Sequence, residues 1–207
     1  MNKFLLMILL VTFSAAVFSQ VVKDDEEDSR VFKKENLFAG GGITLSYFNG
    51  VTVLGINPYA GYSITKWLDA AVSMNVNYIS QLNYLLDGDR VHQTILAPGA
   101  LVRVYPLKFL YVETQLERNF VKQKYVPALN SGYMDDKVNY NVNTLLTGIG
   151  YASDREYDDD EFYYISISFD LLRRPGSPYT SSRDNPFPII RAGYNIKLFP
   201  NHKKKKH

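Results

Sequence analysis

The sequence predicts an all-β protein, an eight-stranded antiparallel up-and-down transmembrane β-barrel over residues 37–199. Three observations predict it. Apolar and polar residues alternate with period two through eight segments bounded by turn residues. Those segments run to about ten residues or more, the length a tilted strand needs to cross a bilayer, whereas soluble strands are commonly about half that. Aromatic residues collect near both ends of the segments, where amphipathic rings meet lipid headgroups.

Residues 1–19 read as a signal peptide. Lys3 precedes the apolar run Phe4–Val11, which is too short to span a bilayer as a helix, and small residues follow at Ser14, Ala15, Ala16 and Ser19. Cleavage is expected after Ser19. Residues 20–36 form an acidic lead-in centred on Asp24-Asp25-Glu26-Glu27-Asp28, a run that repels itself and buries nothing, so it is expected to be disordered. A calcium site would need a turn residue at fixed spacing, which this run lacks.

The strands follow in order. Leu37–Phe48 leads into Asn49-Gly50, a strong two-residue hairpin signal, and Val51–Ile64 returns to a tight turn at Thr65–Trp67. Leu68–Ser80 is followed by a loop through Asp87-Gly88-Asp89. Val91–Tyr105 turns at Pro106–Lys108 into Phe109–Val121. A long loop over 122–141 precedes Val142–Ala152, the acidic segment Ser153–Glu161 precedes Phe162–Leu172, and the loop Arg173–Pro186 precedes Phe187–Phe199. Residues 200–207 are a basic tail. Short and long connections broadly alternate, as periplasmic turns and outer loops do; Asn49-Gly50 and Ser153–Glu161 are the two exceptions.

The faces of these strands carry the prediction. In the third strand Leu68, Ala70, Val72, Met74, Val76 and Tyr78 alternate with Asp69, Ser73, Asn75 and Asn77. In the seventh, Tyr163, Ile165, Ile167, Phe169 and Leu171 alternate with Tyr164, Ser166, Ser168 and Asp170. A soluble sandwich shares this period, so the direction of the apolar face decides. Tyr62, Trp67, Tyr105, Phe109, Tyr151, Phe162, Tyr163 and Phe199 are expected in one aromatic girdle, with Tyr47, Phe48, Tyr78, Phe120 and Phe187 in the other. Pro58 and Pro98 lie inside strands and each removes a ladder donor, so each is expected at a bulge or bend.

Asn57-Pro58-Tyr59-Ala60-Gly61-Tyr62-Ser63-Ile64 with Trp67–Val72 resembles a recurring hairpin of small outer-membrane β-barrel proteins of the Bacteroidetes group, a porin-like family. Ala97-Pro98-Gly99-Ala100-Leu101-Val102-Arg103-Val104-Tyr105 is similar to a second strand of that family, with Val104 where a second aromatic is usual. Ile190–Phe199 is similar to its closing strand, although residues 200–207 extend beyond. The resemblance implies the cell outer membrane as location, outer-membrane lipid as surroundings and the barrel-assembly machinery as a partner during insertion. It implies no particular chemistry.

With apolar faces outward, the polar faces enclose a lumen that eight strands leave just wide enough for side chains. Arg103, Glu113, Glu117, Asp170, Arg191 and Lys197 are expected there as a lumen polar network of ion pairs. A structural plug fits that width better than an ion path. In Val91–Tyr105 both faces are apolar, so the phase of Arg103 stays open.

Other classes find less support. A net charge of +2 gives no electrostatic case for nucleic acid. The absence of cysteine removes a lipidated thiol and disulfides. No Gly-rich phosphate loop, zinc spacing or nucleotide fingerprint appears, so no cofactor or metal is expected. A lipid-modifying enzyme would need His92 with an acidic partner and a nucleophile, and Thr94 stands where a Ser would be required. A non-enzymatic outer-membrane role is therefore expected, structural or binding, through loops near Asn83–Arg90, 122–141 and Arg173–Pro186. The sequence names no ligand for them. The alternative is a soluble periplasmic β-barrel binding an apolar ligand, with its apolar side chains turned inward.

Overall fold

The computed structural model describes residues 33–128, 132, 134–153, 155, 161–181 and 185–199. The chain divides into two units, Met1–Lys33 and Lys34–His207. The residues read as a signal peptide, nearly all of the acidic lead-in and the basic tail lie outside the described residues. The lead-in's last residues, Lys34–Asn36, form one 3-10 turn, tied to the wall by Asn36 Nδ2 donating to Ser63 O at 3.0 Å.

Among the described residues the chain forms β1 (Leu37–Phe48), β2 (Val51–Ile56), β3 (Tyr59–Thr65), β4 (Leu68–Leu82), β5 (Arg90–Leu107), β6 (Leu110–Val126), β7 (Asp136–Ala152), β8 (Phe162–Asp170) and β9 (Ile189–Lys197). Each pairs antiparallel with its neighbours, and β1 pairs with β9 to close the sheet. Segments β2 and β3 both bridge β1 and β4. They are one stave, so the fold is a closed eight-stranded barrel. Followed once round the wall, the register climbs about ten residues, which sets the strands at about 40° to the axis.

Of the bulge or bend expected at each proline, the bulge is absent at both. Pairing stops at Asn57-Pro58 and resumes beyond it in the same register, with Asn57 N donating to Gly42 O at 2.9 Å and Met74 N to Pro58 O at 3.0 Å. Pro98 still pairs with Met74, while the ladder to β6 skips from Leu96 to Gly99 without slipping. A wall already held on both sides of the gap can lose a donor without slipping register. The register shifts lie elsewhere, at Ser63/Thr65 and Val104/Leu107, beside the tight turns.

Four strands, β4 to β7, run past their predicted ends, β6 and β7 the furthest. The β6–β7 ladder runs up to Tyr125↔Asp136, shrinking the expected loop over 122–141 to the segment between them. Lys122, Lys124, Lys137 and Asn139 make the outward face of this extension polar, while Val138, Tyr140 and Val142 alternate on the other face. The Asn49-Gly50 turn is as tight as predicted: Phe48 pairs with Val51, and both turn residues take positive φ, 46° and 77°.

The apolar faces point out. Val72 is 68% exposed and Ile165 52%, and Met74, Val76, Tyr78, Ile167, Phe169 and Leu171 are exposed with them. The enclosed volume is layered. At the end bearing the tight turns, Phe38, Tyr59, Leu101, Tyr105, Tyr111, Phe162 and Tyr164 pack together. At the loop end, Val51, Val53, Ile79, Ile95, Val121, Leu146, Tyr179, Phe187 and Ile189 do so. Charged and amide side chains occupy the space between. Tyr105, Phe162 and Phe187 therefore correct the girdle assignment: they face the lumen, while Trp67, Phe109, Tyr151, Tyr163 and Phe199 at one end and Tyr47, Phe48, Tyr78 and Phe120 at the other are exposed. Rings fit inside because glycines face them from the wall. A methyl on Gly40 would come within 2.5 Å of the Tyr59 ring, and one on Gly150 would overlap Tyr111.

Candidate functional site: the charged lumen

Three charged residues share one row of the inner wall. Asp69 on β4 pairs in register with Arg103 on β5, which pairs with Glu113 on β6. The open phase of Arg103 is thereby settled inward, at 3% exposure. Its guanidinium donates to Glu113 Oε2 at 3.2 Å and to Tyr59 Oη at 3.2 Å. The rings of Tyr59, Tyr164 and Tyr111 surround it at 4.7, 4.8 and 5.2 Å from their centres. Stacking against ring faces is a cation's substitute for lost hydration.

Asp69 takes a different cation. Arg155, from the segment between β7 and β8, reaches into the turn end of the barrel and donates to Asp69 Oδ1 at 2.6 Å and to Lys66 O at 3.3 Å. It also lies 3.6 Å over the Tyr105 ring. Sequence reasoning missed this pair. Asp69 was visible as an inward residue of its strand, but Arg155 stands in an acidic run with no period to orient it.

A second layer forms nearer the loop end around Glu117 on β6. Arg191 on β9 donates to Glu117 Oε1 at 3.1 Å and to Gln115 Oε1 at 2.5 Å. Asn75 on β4 donates to Glu117 Oε1 at 2.7 Å, Tyr179 to Oε2 at 2.9 Å and Thr144 to Oε2 at 3.4 Å. The chain continues across the lumen as Asn57 Nδ2 to Asn75 Oδ1 at 3.1 Å and Thr44 Oγ1 to Asn57 Oδ1 at 2.7 Å. Asn57 thus turns the break in the second stave to use, linking β1 to β4. Glu117 and Arg191 are both deeply buried, and pairing with several further donors is the condition under which buried charge is tolerated.

Asp170 and Lys197 depart from the expected network. Asp170 is enclosed but pairs with no base among the described residues: it accepts from Leu145 N and Leu172 N, each at 3.1 Å, and from Ser177 Oγ at 2.7 Å. It fastens the following loop. Lys197 lies half-buried at the turn end of β9, on the inward side but away from the Glu117 layer. The loop Arg173–Pro186 is correspondingly less external than predicted, because Ser177 and Tyr179 are buried in the barrel mouth.

No family model and no curated protein matches this chain.

Chemically, the lumen holds two mutually neutralised charge layers between aromatic and aliphatic lids. Arg103–Glu113 ties the neighbouring staves β5 and β6, and Arg191–Glu117 joins β9 to β6, staves that are distant round the wall. His92 and Thr94 lie on the outer face instead. The His92 Nδ1 sits 2.8 Å from Tyr78 Oη, and the two rings stack 5.9 Å apart. Among the described residues no group of three His, Cys, Asp or Glu is arranged to hold a metal ion.

Proposed function

We propose that this chain is an integral outer-membrane β-barrel with a non-enzymatic role, structural or binding through its outer loops, of the kind its likeness to small Bacteroidetes barrels implies. The observation that carries the reading is the inversion of the wall. Apolar side chains cover the outside and charged ones are sealed within. In water such a surface would be a strongly aggregating patch, far larger than the few hundred Å² a soluble monomer ordinarily shows. In lipid it is the required one.

Dimensions support the same reading. The outward run of β4 from Leu68 to Tyr78 covers about 25 Å along the axis at about 3.3 Å per residue and about 40° of tilt. That is about the height of the apolar band of outer-membrane barrels. Exposed Trp67, Phe109, Tyr151 and Phe199 rim one edge of the band and Tyr47, Tyr78 and Phe120 the other. A soluble barrel binding an apolar ligand would need the opposite orientation and an empty centre; here paired arginines and glutamates cross the middle.

Fractionation tests the proposal. The chain should appear in the outer-membrane fraction, resist carbonate extraction and migrate faster on gels unheated than heated. Recovery in the soluble periplasmic fraction would overturn it.

A further inference from the structure

The outer wall is not uniformly apolar. On β5–β7, toward the loop end, it changes to cations beside a groove. We infer that this face is a docking site for a phosphate-bearing lipid of the exterior leaflet, an inference that rests on the membrane reading above.

The register builds the site. Arg118, Phe120, Lys122 and Lys124 follow one another outward along β6. Lys124 pairs with His92 on β5 and with Lys137 on β7, and Lys122 pairs with Thr94 and Asn139. Three lysines, Lys122, Lys124 and Lys137, thus share a small patch of two adjacent strands. Asp135 is the one acid paired with them among the described residues, 3.2 Å from Lys124 in an exposed contact. Exposed pairs of that kind neutralise little. Directly alongside lies an open groove of about 480 Å³ whose apolar floor includes Val76, Leu96 and Phe120, with Lys122 and Asn141 on its rim.

The combination specifies the occupant. A free anion would use the lysines but not the groove, and an uncharged acyl chain would use the groove but not the lysines. A lipid with a phosphorylated headgroup uses both: its chains lie along Leu96 and Phe120 in the apolar band, and its phosphate stands where Lys122, Lys124 and Lys137 leave that band. Arg118 lies two rows lower on the same face, below Phe120, and is held to Asn143 Oδ1 at 3.1 Å. Each cation near an anionic surface contributes enough to change affinity about fivefold.

The test uses the full mature chain refolded into phosphatidylcholine vesicles doped with diphosphorylated lipid A or with its dephosphorylated form. Lipid retained after detergent extraction is counted by native mass spectrometry, and heat-modifiable migration reports insertion in the same samples. The expected result is selective retention of the diphosphorylated lipid, lost by about tenfold or more in K122Q/K124Q/K137Q and kept in K122R/K124R/K137R. Inserted protein that retains both lipids equally, or that keeps its preference in the glutamine variant, overturns the lipid site and leaves the membrane reading standing. Protein that does not insert overturns the membrane reading, and the lipid site with it.

Discussion

Tyr179 donates to Glu117 Oε2 at 2.9 Å across 62 positions of sequence, so a residue of the Arg173–Pro186 loop is fastened inside the barrel. Asn77 donates to the same hydroxyl at 3.0 Å, and Ser177 holds Asp170 two residues before. The loop behaves as part of the core rather than as a free exterior segment.

Removing that hydroxyl should loosen the loop without opening the wall. Tyr179→Phe keeps the ring in its apolar cluster but leaves one Glu117 oxygen short of a donor, a loss of about 1–3 kcal/mol. Limited proteolysis of vesicle-inserted protein should show faster cleavage within Arg173–Pro186 and unchanged resistance elsewhere. Equal cleavage of variant and parent would deny the anchoring role.

The Arg191–Glu117 pair should be harder to halve than to delete. Arg191→Met strands a buried carboxylate and should cost about 3–5 kcal/mol, whereas Arg191→Met with Glu117→Met should recover much of that loss. Urea unfolding of both variants from vesicles measures the difference. A double variant as unstable as the sum of its singles would show that the two charges do not act together.

Ring and glycine in the wall should also act as a pair. Gly150→Ala puts a methyl into the Tyr111 ring, and overpacking of this kind costs about 1–3 kcal/mol. Adding Tyr111→Leu should return part of the stability, read by the same unfolding midpoint. No recovery would place the strain elsewhere.

Asp89 sets a pH dependence at the β4–β5 loop. Its own burial opposes ionisation, but the backbone N–H groups of Leu86, Leu85 and Tyr84 and the Tyr125 hydroxyl all donate to its carboxylate, at 2.9, 2.9, 2.5 and 3.1 Å, and hold its pKa below the ordinary 3.8. Because the folded value is the lower one, the carboxylate stabilises the loop fully above the ordinary range and loses that effect as pH falls through the lowered pKa. In detergent micelles the amide proton shifts of Tyr84, Leu85 and Leu86 should titrate together with a midpoint below 3.8 and be flat in Asp89→Asn. A midpoint at or above 3.8 would contradict the assignment.

Much of this was legible because a barrel wall has a period of two and its turns have their own chemistry. Leu68–Tyr78 and Tyr163–Leu171 read outward correctly from alternation, and Asn49-Gly50 fixed the first hairpin. Glu113, Glu117 and Arg191 read inward for the same reason. What alternation could not carry was anything off the strands. Arg155 and Tyr179 enter the lumen from connections, where no period assigns a side. Nor could position along a strand separate a girdle ring from a lumen ring: Tyr105 and Phe162 stand at the right height, but their parity with Arg103 and Tyr164 turns them inward. The polar extension of β6–β7 was hidden because it leaves the apolar band while remaining paired.

The absence of native cysteine makes a single-site label scan of β4 clean. Nitroxides placed one at a time at residues 72–77, in protein refolded into vesicles, report contact with dissolved oxygen, which concentrates in lipid, and with a water-soluble nickel chelate. Val72, Met74 and Val76 should show high oxygen and low nickel collision, alternating with low values for both at Ser73, Asn75 and Asn77. High nickel collision at Val72, Met74 and Val76 would mean that the apolar face meets water, and the barrel would not be a membrane protein.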